Sequence, residues 1–296
     1  SDHLTLATRH FSDIIVMADF ECGGMMPILG QRRIVNEYSL IYTGPSERYT
    51  TITDCARQTG HNIAAKLQLG TTHELGTAAN MPMLGHIHAK LRYLRAQSVA
   101  GIFGTWNFGN RFTINTAAVG KFMQNRSESD QTAFITGLAR DYLGLPANNR
   151  FADAVAGLED AFALYPLCNE LIYFGPLNFA PALPLDAAPL TGQALTVSCL
   201  NKARGDAWER SLGPFTVEEV IAALEDMAKI MQSALTLFDQ TLFPPRSPFG
   251  TSLAGYQGPA VIPRHAGRVA DEELAETLRL TLPGDLFRAL PELAGV

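Results

Sequence analysis

Two stretches of the sequence place carboxylates, a lysine and an amide just where an apolar run ends. The first run ends in Asp19 and Glu21, which share one face if strand alternation continues through them. In the second run Lys66 and Gln68 share the polar face, and Thr71-Thr72-His73-Glu74 follows directly. Glycoside hydrolysis uses two carboxylates, one as acid or base and one as nucleophile or base. The residue types therefore favour chemistry on a carbohydrate.

A third stretch follows another apolar run and consists of Gly104-Thr105-Trp106-Asn107-Phe108-Gly109-Asn110. An indole ring offers a flat apolar surface to a sugar, and amides hydrogen-bond hydroxyl groups. In parallel α/β proteins the reactive groups lie at the carboxyl ends of strands. The sequence thus predicts a polar site centred on Glu74. Its predicted catalytic carboxylates are Glu74, Glu21 and Asp19. Its predicted substrate-binding side chains are Lys66, Gln68, Trp106, Asn107 and Asn110.

Each of these side chains also has a purely structural interpretation. Asp19 or Glu21 could satisfy backbone groups or pair with Arg32 or Arg33. Lys66 could form an ion pair that fills the interior of a barrel. An isolated tryptophan is more often part of a core than a binding platform, so Trp106 remains open in the same way.

The sequence predicts neither a metal site nor a cofactor. His86 and His88 form an H-x-H pair, but they fall in a helical pattern, where two such positions lie about 200° apart. No phosphate-binding loop or nucleophile elbow is found. The four cysteines are far apart, and buried thiols of a cytosolic protein are favoured over disulfides.

Composition limits the partners that we expect. The chain has 296 residues, a hydrophobic fraction of 47% and a net charge of -6. A mildly acidic chain argues against a nucleic-acid partner. No apolar run approaches the roughly 20 residues that span a membrane, and the start shows no signal peptide. We therefore expect a cytoplasmic protein whose ligand is a carbohydrate.

The elements that must position the site alternate between strand and helix. Strands are predicted over 13–20, 37–42, 61–69 and 99–106, with a Gly- and Met-rich loop after the first. Ser46 caps a helix that runs to about Gly60, and Pro82 opens another near its first position. The apolar stripe of the second helix is Leu84, Ile87, Leu91 and Leu94. Strands separated by helices imply parallel pairing through right-handed crossovers.

Helical patterns dominate the later part of the chain. They cover 115–123, 130–143 and 150–165, and a long amphipathic helix begins near Thr216. Leu171–Phe174 could form one more strand. We predict a parallel half-barrel region over 1–125, a helical region packed on it over 126–243, and a linker with C-terminal helices over 244–296.

Several segments, in this order, resemble a family of poorly characterised bacterial glycoside-hydrolase-like proteins with a (β/α)8 barrel. They are Asp19-Phe20-Glu21, Tyr38-Ser39-Leu40 with Gly44-Pro45-Ser46, Ala65-Lys66-Leu67-Gln68 with His73-Glu74-Leu75, Gly104 to Gly109, and Tyr173 to Pro181. The resemblance covers roughly residues 10–240, and it implies the second half of such a barrel. It places Glu74 after barrel strand seven, where many retaining glycosidases carry their nucleophile.

The expected fold is therefore a partial (β/α)8-type barrel of about four parallel strands, followed by a mainly helical region. The acid/base carboxylate of the resembled family usually follows strand four, which would lie outside this chain. The expected function is a glycoside hydrolase or its C-terminal part. The alternative is a non-catalytic carbohydrate-binding or interaction protein derived from such a barrel. A homodimer or a partner chain would cover the open sheet edges of a half-barrel.

Overall fold

The computed structural model describes residues 14–35, 38–70, 80–105, 112–124, 130–168, 171–172 and 212–242. Within these ranges the chain is a mixed α/β protein with a parallel sheet, a β-hairpin and six helices. The strands are β1 (Ile15–Asp19), β2 (Gly24–Ile28), β3 (Gln31–Val35), β4 (Asn62–Gln68) and β5 (Gly101–Thr105). The helices are α1 (Glu47–Gln58), α2 (Leu84–Ala96), α3 (Ile114–Gln124), α4 (Gln131–Leu143), α5 (Arg150–Phe162) and α6 (Val217–Leu242).

The parallel sheet has three strands in the order β1-β4-β5, with α1 and α2 as the crossovers. Side chains alternate between its faces, as the sequence predicted for β4. One face is buried and packs on helices, and its residues include Val16, Ala18, Ile63, Ala65 and Leu67. Parallel pairing is thus confirmed, but the described residues form three parallel strands rather than about four, and no closed barrel is seen in them.

The predicted second strand over 37–42 is wrong, because residues 38–42 are irregular. A β-hairpin formed by β2 and β3 lies instead in the segment predicted as a loop. Its two-residue turn has positive φ at Leu29 (47°) and Gly30 (75°), the geometry that matches the twist of hairpin strands. Asparagine is the common residue at the first of these positions, so a leucine at position 29 gave no sequence signal for the turn.

The helices around the sheet follow the predicted caps and stripes. Ser46 is the N-cap of α1, where its Oγ accepts a hydrogen bond from the N–H of Tyr49 at 3.0 Å. All four residues of the predicted α2 stripe are buried. Pro82 lies just outside α2, since the N-cap is Met83.

The later helices complete a core that is continuous with the sheet. The start of α5 meets the end of α6: the rings of Phe151 and Phe238 are 5.5 Å apart, and Arg150 Nη2 donates to Gln240 Oε1 at 2.9 Å. The two helices therefore run antiparallel. Leu171 and Ile172 are buried in a helical turn, which contradicts their assignment to a strand. The predicted segment 244–296 lies outside the described residues.

Candidate functional site

Asp19 is the last residue of β1, and its carboxylate shapes the turn that follows. Oδ1 accepts hydrogen bonds from the N–H groups of Glu21 at 3.2 Å and Cys22 at 2.9 Å. Oδ2 lies 4.0 Å from Lys66 Nζ, and the Asp19 side chain is 17% exposed. One oxygen is therefore committed to the backbone, while the other faces a cation next to solvent.

Lys66 lies beside Asp19 on the neighbouring strand, since the two residues are partners in the β1–β4 register. Its Nζ donates a hydrogen bond to Tyr38 Oη and lies 4.0 Å from the centre of the Tyr38 ring. The lysine side chain remains 23% exposed. Asp19, Lys66 and Tyr38 form one polar cluster, which we call the strand-end cluster. It brings together an anion, a cation and a phenol.

Glu21 does not join this cluster. Strand β1 ends at Asp19, so the alternation does not carry to Glu21, and its carboxylate meets a different cation. Oε1 lies 2.8 Å from Lys90 Nζ of α2 and accepts the N–H of Gln68 at 3.1 Å. Neither charged side chain has any exposed surface. Burial raises the pKa of Glu21, while Lys90 acts in the opposite direction.

The environment of Glu21 therefore favours the structural interpretation over direct contact with substrate. Its partner is Lys90, not Arg32 or Arg33. Lys90 also donates to the carbonyl of Ser39 at 2.6 Å, so the pair joins the end of β1, helix α2 and the segment before α1. Gln68, the last residue of β4, is itself fully buried beside this pair.

Comparison of the chain with protein-family models, characterised proteins and solved structures gives no match. The predicted site residues Glu74, Trp106, Asn107 and Asn110 lie outside the described residues. Glu74 belongs to the connection that leaves β4 after Gln68, and Trp106 directly follows β5.

The two ends of the connection that carries Glu74 are held together by Asn115 of α3. Its Nδ2 donates to the carbonyls of Leu69 and Met81, both at 2.9 Å, and the residue is fully buried. The N–H of Asn80 also approaches the carbonyl of Gly70 at 3.4 Å. The Asn115 amide thus joins the chain just before residue 71 to the chain just after residue 79.

A second buried carboxylate lies at the start of α2. Glu159 Oε1 accepts the N–H groups of Gly85 at 2.8 Å and His86 at 3.0 Å, where Met83 supplies no side-chain cap. Burial raises the pKa of Glu159 to about 7. Burial also lowers the pKa of His86 to about 4, although its Nδ1 is hydrogen-bonded to the carbonyl of Leu40.

Sequence reasoning missed Tyr38, Lys90, Asn115 and Glu159. One signal was present for Lys90, because it follows Ile87 by three positions and so falls on the apolar stripe of α2. A lysine on such a stripe requires a buried anion. The other three residues act through partners far away in the sequence, which no local pattern reveals.

The described residues hold no group of three or more His, Cys, Asp or Glu side chains that could bind a metal ion. Cys22, Cys55 and Cys168 are present as thiols. Among the described helices, none combines the length and the apolar character that crossing a membrane requires.

Proposed function

We propose that this protein acts on carbohydrates as a glycoside hydrolase, or as the C-terminal part of one, with Glu74 as a catalytic carboxylate. The supporting observation is the strand-end cluster. A carboxylate and an ammonium group lie side by side at the carboxyl ends of two neighbouring parallel strands, on the face that no described helix covers. Glu74 follows one of these two strands by six residues.

We further propose that the three strands belong to a (β/α)8-type barrel rather than to a doubly wound sheet. The strands are ordered β1-β4-β5, as they follow one another in the chain. Both crossover helices face the buried side of the sheet: α1 packs against Val16 and Ile63, and the buried stripe of α2 belongs to the same core cluster as Ala65 and Leu67. A doubly wound sheet carries helices on both faces. In a barrel the uncovered face is the interior, and its upper rim carries the site.

The roles in this site follow from the contacts. Asp19 presents Oδ2 beside Lys66 in a fixed orientation, because its Oδ1 is held by two N–H groups. Lys66 and Tyr38 present polar hydrogens that can bind sugar hydroxyls. Glu21 and Lys90 act from beneath as positioning residues, since neither is exposed. Glu74 and Asp19 would supply the two carboxylates that glycoside hydrolysis requires.

Hydrolysis of a panel of 4-nitrophenyl glycosides tests this proposal with the wild type and the Glu74→Gln variant. Glutamine keeps the size of the side chain but removes its negative charge and its acid function. We expect turnover by the wild type and a loss of at least about a hundredfold in the variant. Equal turnover by the two proteins would remove Glu74 from the mechanism.

A second candidate is a non-catalytic carbohydrate-binding or interaction protein that associates with itself. The observation in its favour is the uncovered sheet face, on which Ile15 is 60% and Met17 is 52% exposed. Parallel sheets are normally covered on both faces. Light scattering over a range of concentrations separates the candidates, because only self-association through this face yields a dimer that Met17→Lys dissociates.

A further inference from the structure

The uncovered face of the parallel sheet carries an aromatic ring in line with the strand-end cluster. Phe103 of β5 is the register partner of Lys66, which is the partner of Asp19. Partners on neighbouring strands point to the same face, about 4.8 Å apart. Asp19, Lys66 and Phe103 therefore form one row across three strands, and Phe103 is 54% exposed.

The neighbouring row on the same face, two residues earlier on each strand, carries mostly short side chains. It consists of Met17, Ala64 and Gly101, which are likewise register partners. Two of its three residues have little or no side chain. A Cβ placed on Gly101 would meet no atom within 4 Å, so the space beside Phe103 on this face is open.

Together these two rows have the shape and chemistry of a groove for a sugar ring. The aromatic ring of Phe103 lies at one end and the anion Asp19 at the other. Lys66 stands on the strand between them with its Nζ near Asp19, and the small residues Ala64 and Gly101 form the floor. The two ends are separated by about 10 Å across the strands, which accommodates a pyranose ring with its hydroxyl groups. An aromatic face can cover the apolar C–H face of the sugar, while Asp19 and Lys66 bind hydroxyls.

We propose that this groove binds a neutral hexopyranoside, with Phe103 as the stacking residue and with Ala64 and Gly101 as the floor. The inference rests on the proposed carbohydrate function and deepens it, because it names the subsite and the class of ring. It assigns Phe103 a role that Trp106 alone was expected to fill. An exposed phenylalanine in the middle of a strand is thereby explained by a ligand rather than by core packing.

Two variants test the groove, one by removing a side chain and one by adding one. Phe103→Ala removes the stacking ring, and Gly101→Val fills the open floor with a side chain that fits a strand. Phe112→Ala is the matched control, because Phe112 is 62% exposed but lies outside the sheet, against Tyr142. All three positions are at the surface or in open space, and circular dichroism with thermal unfolding checks that each variant folds.

Binding is measured by isothermal titration calorimetry with S-linked 4-nitrophenyl α- and β-hexopyranosides, which resist hydrolysis, and hydrolysis is measured on the corresponding O-glycosides. We expect Phe103→Ala and Gly101→Val each to raise the Kd by about tenfold, while Phe112→Ala leaves it unchanged. Weaker binding in both groove variants supports the groove even if the wild type hydrolyses nothing, in which case only the hydrolase proposal fails.

Three results would overturn the groove. Unchanged affinity in both variants would place the sugar elsewhere and leave the hydrolase proposal intact. The absence of any binding or hydrolysis by the wild type would remove both proposals. A change of oligomeric state in Phe103→Ala with unchanged sugar affinity, seen by light scattering, would assign this face to a second copy of the chain.

Discussion

Lys90 Nζ lies 2.8 Å from Glu21 Oε1, and neither side chain is exposed to solvent. The two residues are 69 positions apart in the chain, so the ion pair fixes a long-range contact beneath the strand-end cluster. Taking two charges out of water is unfavourable, and a buried pair is tolerated only when further hydrogen bonds satisfy it. The N–H of Gln68 and the carbonyl of Ser39 provide such bonds.

Replacement of Lys90 by methionine should destabilise the protein by about 3–5 kcal/mol, because it leaves a carboxylate buried without its cation. Urea unfolding measures the loss. The double variant Glu21→Gln with Lys90→Met should recover part of it, since glutamine still accepts the N–H of Gln68. Lys229→Met is the control: its pair with Asp226 is exposed, and such pairs contribute less than about 1 kcal/mol. Equal losses for Lys90→Met and Lys229→Met would contradict the assignment.

Variants of Asp19 should distinguish its role in the turn from its role in catalysis. Asparagine keeps an oxygen that can accept the N–H groups of Glu21 and Cys22, whereas alanine keeps none. We expect Asp19→Asn to fold like the wild type but to lose at least about a hundredfold in turnover of aryl glycosides. Asp19→Ala should also lose about 1–3 kcal/mol of stability. Full turnover by Asp19→Asn would limit this carboxylate to the turn.

Much of the frame around this site is predictable from local patterns. The alternation of β4 correctly placed Lys66 and Gln68 apart from Ala65 and Leu67, because strand periodicity is a property of the backbone itself. The stripe of α2 and the cap at Ser46 were likewise predicted from local patterns. These features depend on residues within one or two turns of each other.

The predictions that failed concern features that depend on partners distant in the sequence. Strand β1 ends at Asp19, where its pairing with β4 ends, so the alternation could not be extended to Glu21 from the sequence alone. The hairpin of β2 and β3 was missed because Leu29 occupies a position that usually carries asparagine. Leu171 and Ile172 have strand propensity, but tertiary packing places them in a helical turn. The role of Asn115 and the identity of the anion that pairs with Lys90 likewise depend on residues far away in the sequence.

Loss of the Asn115 amide should weaken the connection between the chain at Leu69 and the chain at Met81. Asn115→Leu fills a similar space but leaves the carbonyls of Leu69 and Met81 without this donor. We expect a loss of about 1–3 kcal/mol, since the carbonyl of Leu69 loses this donor while that of Met81 keeps the N–H of Met83 at 2.8 Å. Hydrogen exchange should accelerate most at the N–H of Asn80. Asn62→Leu is the control, because Asn62 is exposed on β4, and a similar acceleration in it would argue against the clamp.

His86 and Glu159 should give the protein opposite pH dependences that largely cancel. The pKa of Glu159 is raised from 4.5 to about 7, so its contribution to the free energy of unfolding is fully present below pH 4.5 and is lost as pH rises through 7. The pKa of His86 is lowered from 6.5 to about 4, so its contribution is present above pH 6.5 and lost as pH falls through 4.

Single variants should reveal the pH dependence that each residue gives to the free energy of unfolding. In His86→Asn, which keeps a donor for the carbonyl of Leu40, the free energy of unfolding should fall as pH rises from 4.5 to 7. In Glu159→Gln it should fall as pH drops from 6.5 to 4. Each change is on the order of 3 kcal/mol. Urea unfolding across this range measures both, and parallel pH curves for the two variants would refute the assignment.

Cys168 joins two parts of the core that are far apart in the sequence. The N–H of Leu171 donates to its sulfur at 3.4 Å, and the same sulfur lies 3.6 Å from the carbonyl of Leu212. The chain before and after residues 173–211 is thus joined at one point. The entropic cost of closing a chain segment whose ends are held together rises only slowly with its length, by about 0.6 kcal/mol for each doubling. Evolution could therefore expand, shorten or exchange this stretch while the helices on either side keep their packing.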